Sequence, residues 1–371
     1  MQTDRILSFA GCRWVSRIIG GMDEPGAEVS TRNENAEPEQ MVFSGYRLLW
    51  WPGIAIFLLV HIVAFTAFLR HLGLLVSPFY GFIKTLSFAA GYLVFAFVVR
   101  LGLQRWIGKG GAPTWSLRSG AARVIVGEIS LILVTMGLLT VAYSWPKVMV
   151  QVLNPRLWDM QLAALDRLLC FGVDPNEFLL TVFEGSPAFV SYLLDRYYAV
   201  FVFTQSIGAA WFLCDPRARF RSAFGAGFIA LWMIGTWCYV AVPALGPAYF
   251  FEDLPQRLWA IFPAAAQGQA ALYANYTAVK GLAGGAETLI VPHLGIAAMP
   301  SLHVGIHLFL YLWSVFAKSR LRPVFLAMVL LTFVGSVATG WHYAVDGLAG
   351  ALIAAVAFYL AVVAARFLRG R

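Results

Sequence analysis

Apolar residues run through most of this 371-residue chain in long blocks separated by short polar breaks. A helix needs roughly 20 largely apolar residues to cross ~30 Å of hydrocarbon. Eight blocks meet or approach that length, at about 47–69, 79–99, 128–145, 188–213, 222–243, 297–317, 323–340 and 342–366. The pattern predicts an all-α polytopic membrane protein of about eight transmembrane helices. Residues 1–44 depart from it. They mix Arg5, Arg13, Arg17 and Arg32 with Asp23, Glu24, Glu28, Glu34, Glu37 and Glu39. With no apolar run of signal-peptide length, they read as a disordered cytoplasmic tail rather than a cleaved leader. The chain then divides into this tail, a 45–127 region of two helices and a basic loop, and a 128–371 region of six helices.

Composition sharpens the class. Hydrophobic residues make up 60% of the chain and charged residues 12%, which excludes an ordinary soluble domain. The net charge of +8 does not imply a nucleic-acid partner, because its placement follows the alternation of the spans. The tail, the loop with Arg100, Arg105, Lys109, Arg118 and Arg123, the Arg217-Arg219-Arg221 loop, Lys318-Arg320-Arg322, and Arg366, Arg369 and Arg371 all fall on one side. By the positive-inside rule that side is cytoplasmic, with both termini inside, as in a bacterial inner membrane. The other loops carry scattered bases: Arg70, Lys147, Arg156, Arg167, Arg257 and Lys280. Four cysteines, Cys12, Cys170, Cys214 and Cys238, form neither a disulfide framework nor a CxxC pattern.

Two outer loops are long. In 146–187, Trp158, Leu162, Leu165 and Leu169 share a helical face opposite Asp159 and Asp166, the pattern of a helix lying in the interface. In 244–296, Gln267 to Tyr273 predicts a short helix, and Gly281 to Gly285 a flexible connection. Both loops are placed to roof a site that lipid enters from the side.

The chemistry concentrates in two strings, Met299-Pro300-Ser301-Leu302-His303 and Thr339-Gly340-Trp341-His342-Tyr343-Ala344-Val345-Asp346. Ionisable groups cost about 2.5–3.5 kcal/mol or more at mid-bilayer and persist mainly where they face a polar cavity or do chemistry. The eight-span topology brings His303, His342 and Asp346 to the same outer face. His342 and Asp346 are four apart, so on a helix the carboxylate reaches one ring nitrogen and leaves the other as nucleophile or base. Gly340 permits a sharp turn before them. The first turn of the last helix would then offer free N–H groups and a positive dipole end to a phosphate. His303 on another helix supplies a general acid, and the set suffices for phosphoryl transfer without metal or cofactor. Two His and one carboxylate are also legitimate metal ligands. His61 and His307 read as packing or helix-to-helix hydrogen-bonding residues.

The strings PSLH and GWHYAVDGLAG resemble the second and third signature motifs of the type 2 phosphatidic acid phosphatase superfamily. The HY-x-x-D form is most similar to its inositol phosphorylceramide synthase and sphingomyelin synthase-like branch. The resemblance spans about 128–366 and implies a six-helix catalytic bundle formed by the last six spans. It makes His342 the residue that forms a phosphohistidine, Asp346 its orienting partner and His303 the acid for the leaving group. Val242 to Tyr249 resembles the proline-containing stretch before the long loop of the branch. The superfamily's first motif, Lys-x6-Arg-Pro, is absent, and Ser336 stands where an arginine usually precedes the nucleophile. That leaves the phosphate's charge partner open. Arg196, beside Asp195 in the fourth span, is one candidate, though it can equally pair with Asp195 or snorkel. Ser301, Arg167 and Lys280 are the others.

These features imply a lipid phosphotransferase moving a phospho-headgroup from a phospholipid donor to a lipid or polyol acceptor. The alternative is a lipid phosphatase acting on phosphatidic acid or a polyprenyl phosphate, with water as acceptor. A transporter would need a polar path across the bilayer, which the almost uncharged cytoplasmic halves of the sixth and seventh spans do not provide. The topology is testable. A cysteine placed near Gly285 should react with an impermeant maleimide added outside, and one near Lys318 should not. The reverse pattern would move the site to the cytoplasm.

Overall fold

A computed structural model of the chain describes residues 50–74, 87, 90, 91, 94, 95, 98, 120–215, 217–282 and 294–367. Fourteen helices and no strands occur among the described residues. In chain order they are α1 Trp50–His71, α2 Gly120–Val148, α3 Val150–Leu153, α4 Asp159–Leu169, α5 Pro175–Glu184, α6 Ala188–Ala199 and α7 Phe201–Leu213. There follow α8 Ala218–Ala241, α9 Pro247–Phe250, α10 Leu254–Ile261, α11 Pro263–Leu282, α12 Leu302–Phe316, α13 Arg322–Ala338 and α14 Ala344–Phe367. The tail, most of the predicted 79–99 span and the basic loop that follows it lie outside the described residues.

The chain is an all-helical, multi-pass membrane protein. Among the described residues, four helices are long and apolar enough to cross a membrane: Trp51–His71, Ser130–Val148, Arg219–Ala241 and Ala344–Ala365. Three shorter apolar helices, Phe201–Leu213, Leu302–Phe316 and Arg322–Ala338, accompany them. Helix α12 sits centrally and packs against α7, α8, α13 and α14, while α1 and α2 join through α8. Far from the histidines, the bundle is filled by aromatic rings around Trp313, which meets Phe220, Phe224, Phe309, Phe316 and Phe358 at centroid distances of 5.0 to 6.0 Å. Outward faces carry Ile56, Val60 and Val63 on α1 and Leu348, Leu352 and Val356 on α14, all exposed and apolar as hydrocarbon requires.

Two predicted spans are shorter or broken. The 188–213 block divides at Val200 into α6 and α7. No proline or glycine marks that break. The 297–317 block becomes helical only at Leu302, because Ala298 N–H bonds to the Ala244 carbonyl and Ser301 N–H to the Asp346 carbonyl. Residues 296–298 are buried in protein, the condition under which irregular backbone is tolerated at membrane depth.

The outer loops are more structured than their sequence indicates. The predicted short helix of the second loop is the 20-residue α11. It starts at Pro263, and its first N–H groups, on Ala264 and Ala265, are taken by the Asp195 carboxylate at 2.7 and 2.9 Å. Gly281 and Gly285 mark a connection that lies largely outside the described residues. A core of Leu180, Leu194, Ala248, Leu254, Leu258, Phe262, Ala265 and Ala338 joins α5, α6, α9, α10 and α11 to the end of α13. The helices of the two long loops are thus packed onto the bundle.

Helix α4 corrects the interface reading by inversion. Its buried stripe is Asp159, Leu162, Ala163 and Asp166, at i, i+3, i+4 and i+7, and its outward side carries Met160, Leu165, Leu168 and Leu169. Leu168 is 74% exposed and Phe171, just beyond the helix, 99%. The acids point into the protein together with Leu162, while Leu165, Leu168 and Leu169 point out, the opposite of a water-facing polar side.

Close helix contact at the site depends on Gly305 and Gly350. A Cβ on Gly305 would lie 2.8 Å from the Gly350 carbonyl oxygen, and one on Gly350 would collide with the carbonyl of Ser301. Small residues of this kind let membrane helices approach. Gly350→Ala should therefore destabilise the fold by about 1–3 kcal/mol through overpacking. Thermal melting of the purified protein would show it, and an unchanged melting temperature would mean that α12 and α14 can part without cost.

Candidate active site

The turn between α13 and α14 presents the nucleophile candidate. Gly340 adopts φ +73°, and a Cβ there would meet Leu258 Cδ1 at 2.5 Å. The N–H groups of Trp341 and His342 return to the Ser336 carbonyl at 3.1 Å. Asn176 of α5 donates to the carbonyls of Val337 and His342 at 2.8 and 3.1 Å. Gln269 of α11 donates to the Thr339 carbonyl at 2.8 Å while accepting from Trp259 Nε1. Both roof residues are buried.

His303, His342 and Asp346 meet as a chain. His342 Nδ1 lies 3.4 Å from Asp346 Oδ2, which also accepts the Tyr343 N–H at 2.9 Å. His342 Nε2 lies 2.9 Å from His303 Nδ1, and the same His303 nitrogen is 2.9 Å from the Tyr198 hydroxyl. A carboxylate accepts only, so it assigns the Nδ1 proton to His342 and leaves Nε2 with a lone pair. His303 Nδ1 then carries the proton shared between His342 and Tyr198. Phe201 packs edge-on against the His303 ring at a centroid distance of 4.0 Å. Because His342 uses one nitrogen on each neighbour, the three groups do not converge on a common point as metal ligands would. Among the described residues, no group of three or more His, Cys, Asp or Glu side chains is placed to hold a metal ion.

The expected free N–H groups at the start of α14 are already occupied. Tyr343 N–H goes to Asp346, while Ala344 and Val345 N–H both go to the Asp166 carboxylate at 2.7 Å. Asp159 accepts from the N–H groups of Leu245 and Gly246 and from the Tyr343 hydroxyl, at 2.8 to 3.1 Å. Burial raises the pKa of Asp159, with those donors opposing the shift. Burial likewise pushes Asp166 up to about 6, against its two N–H donors and aided by the charges of Asp346 and Asp174. Burial, and then the charge of Asp159, also holds the Tyr343 hydroxyl above the ordinary phenol value.

The proposed phosphate-binding residues distribute differently. Ser301 is fully buried at the start of α12, and among the described residues neither its hydroxyl nor Asp346 Oδ1 has a hydrogen-bond partner. Arg196 is exposed and stacks on Tyr192 at 5.3 Å, while its neighbour Asp195 caps α11 instead of pairing with it. Arg167 pairs with Asp174 at 3.1 Å, and Lys280 lies over Tyr276 at 5.3 Å. Among the described residues, no hydrogen bond or ion pair joins these three cations to His303 or His342. The cation whose charge acts on His303 is Lys147 at the end of α2, with its ammonium 5.5 and 5.4 Å over the rings of Tyr143 and Tyr239.

Sequence reading missed Lys147, Tyr198, Asn176, Gln269 and the inward role of Asp159 and Asp166. A signal for Lys147 was available. Lys147-x6-Asn154-Pro155 keeps the spacing of the first motif with asparagine in place of arginine, and Asn154 is spent on the Val240 carbonyl at 2.9 Å. His307 is buried and held by Thr204, Thr332 and the His303 carbonyl at 3.0 to 3.1 Å, as a hydrogen-bonding residue. His61 stacks with Phe65 and meets Trp237 edge-on.

A multi-pass helical bundle with paired histidines and a supporting carboxylate defines a membrane phosphatase or phosphotransferase. Residues 160–360, more than half of the chain, match the model of the PAP2 superfamily, and the chain belongs to that superfamily. Neither the curated proteins nor the solved structures contain a match.

The roof's grip on the turn is open to measurement. Asn176→Ala leaves the carbonyls of Val337 and His342 without this donor, a loss of about 1–3 kcal/mol for buried polar groups. Denaturation of the purified variant should reveal it, whereas wild-type stability would show that the two carbonyls find other partners.

Proposed function

We propose that this protein is a lipid phosphotransferase that moves a phospho-headgroup from a phospholipid to a lipid or polyol acceptor at the extracytoplasmic face. The contact between His303 Nδ1 and His342 Nε2, with Asp346 behind His342, is the observation that carries the reading. In the first half-reaction His342 Nε2 attacks phosphorus, the phosphorus bond to the diacylglycerol oxygen breaks, and His303 gives that oxygen its proton. In the second, His303 takes the proton of an acceptor hydroxyl, the acceptor oxygen attacks phosphorus, and the phosphohistidine bond breaks.

Phosphorus placed for attack occupies the space where His303 now touches His342. Substrate therefore turns the His303 ring aside, and Tyr198 offers that ring a second partner. Lys147 supplies positive charge for the phosphate oxygens, the part left open by Ser336 and Asn154. Buried Ser301 adds a hydroxyl at the start of α12. The burial of His342 beneath α4, α5, α10 and α11 favours transfer over hydrolysis, because a covered intermediate waits for its acceptor rather than for water.

Purified protein given a panel of labelled phospholipids decides between the two acceptors. Without acceptor, release of phosphate or phospho-headgroup should be slow, and a lipid or polyol acceptor should raise diacylglycerol formation and create a new phosphodiester. Rapid hydrolysis of phosphatidic acid or a polyprenyl phosphate without acceptor would establish the phosphatase instead. In the same assay His342→Ala should abolish turnover and phosphoenzyme. His303→Ala should slow turnover by about 10²–10⁴-fold, the usual contribution of a general acid. Near-normal activity in either folded variant would refute the mechanism.

A further inference from the structure

Helix α4 holds the residues that follow the nucleophile. Its Asp166 takes the N–H groups of Ala344 and Val345, and its Asp159 takes the Tyr343 hydroxyl together with the N–H groups of Leu245 and Gly246. Three consecutive residues after His342 are thus held by carboxylates of one short helix from a distant part of the chain. Both acids are nearly inaccessible, Asp159 at 0% and Asp166 at 2% exposure. Among the described residues neither has a cation as partner: the neighbouring Arg167 turns to Asp174.

We propose that Asp166, supported by Asp159, is a positioning residue for His342, its carboxylate fixing the first turn of α14 so that Nε2 points at the phosphate. The proposal rests on the phosphohistidine reading above. A buried carboxylate without a cation is costly to hold in the charged form, and it is spent here on two backbone donors that a neutral side chain cannot satisfy equally. An ionised carboxylate presents an acceptor oxygen to each N–H, whereas the protonated acid turns one oxygen into a donor. The ionisable groups facing Asp166 are Asp346 of α14 and Asp174 before α5, both of which oppose its ionisation, while Arg167 offsets Asp174.

With its pKa at about 6, above the ordinary 3.8, Asp166 lends stability that is fully present below the ordinary value and lost as pH rises through about 6. The two-acceptor form exists above that same pH. Function and stability are therefore pulled in opposite directions at this residue, which separates a positioning role from a structural one.

Orthovanadate, a phosphate analogue that a nucleophilic histidine captures, is the probe, with full-length protein in lipid nanodiscs. Asp166→Asn should weaken vanadate affinity by about 10- to 100-fold, the scale expected for a misplaced reacting group. Its vanadate-free melting temperature at pH 7.5 should fall by no more than a few degrees. Wild-type affinity should decline as pH drops through about 6, and that acid limb should move in the Asn variant. The change of that limb between wild type and Asp166→Asn is the diagnostic. Asp166→Glu, which keeps the charge at an altered reach, should fall between the two. Wild-type affinity with an unmoved limb in Asp166→Asn would overturn the proposal, as would wild-type protein with no acid limb near 6. The last two measurements stand even if one variant fails to fold. His342→Ala separates the two ideas: if it abolishes vanadate binding while Asp166→Asn binds normally, only the positioning role falls. If His342→Ala still binds vanadate, the phosphohistidine reading falls and this proposal with it.

Discussion

Backbone N–H groups at membrane depth have no water to turn to, so each needs a partner within the protein. The site is organised around this constraint. Three aspartates, Asp159, Asp166 and Asp195, are each spent on pairs of N–H groups at a chain turn or helix start. Asp195 fixes the beginning of α11, Asp166 the beginning of α14, and Asp159 the turn between α8 and α9 together with Tyr343. Two positive-φ glycines complete the turns, Gly246 under the Trp341 carbonyl and Gly340 against Leu258 and Ala248. Remove these acceptors and the turns lose the partners that define their geometry. The histidines inherit their positions from this frame.

The frame also explains why the roof and the site are one object. Asn176, Gln269 and Asp166 come from three different helices outside the span region, and all end on residues 337–345. The amphipathic helix α4 faces its apolar side outward, where Leu168 and Leu169 are exposed, and its acids inward. The helix that holds the first turn of α14 therefore also presents an exposed apolar outer surface.

Much of this was legible in the sequence, and what was not has identifiable causes. Block lengths predicted the helices because apolar length is what a bilayer demands, and α1, α8, α13 and α14 fall within a few residues of their predicted limits. PSLH and HY-x-x-D gave His303, His342 and Asp346 because their chemistry is local: i, i+4 on one helix, and a proline-led helix start. The acids of α4 were misread because a charged side chain in an amphipathic pattern ordinarily faces water. Their partners, Leu245, Gly246, Ala344 and Val345, lie some 80 to 180 residues away in the chain. Backbone donors leave no mark on a residue pattern. The break at Val200 was invisible for a related reason: Tyr197 and Tyr198 are held by Thr332 and His303 on other helices, not by any local signal.

Lys147 shows how chemistry and packing trade places when a motif decays. The spacing of Lys147 and Pro155 survives, but Asn154 has become a structural residue that binds the end of α8 through the Val240 carbonyl and receives the Arg156 N–H. Asn154 stands in place of one usual arginine and Ser336, whose carbonyl receives the Trp341 and His342 N–H groups, in place of another, so of the three usual cations Lys147 alone is present. With fewer fixed positive charges, the ground-state grip on a phosphate is weaker. A site so built depends more on orientation than on charge: His342 held by Asp346 and by the α4 carboxylates, His303 held by Tyr198 and Phe201. For the transfer we propose, orientation of that kind suits an acceptor that is itself positioned better than mobile water.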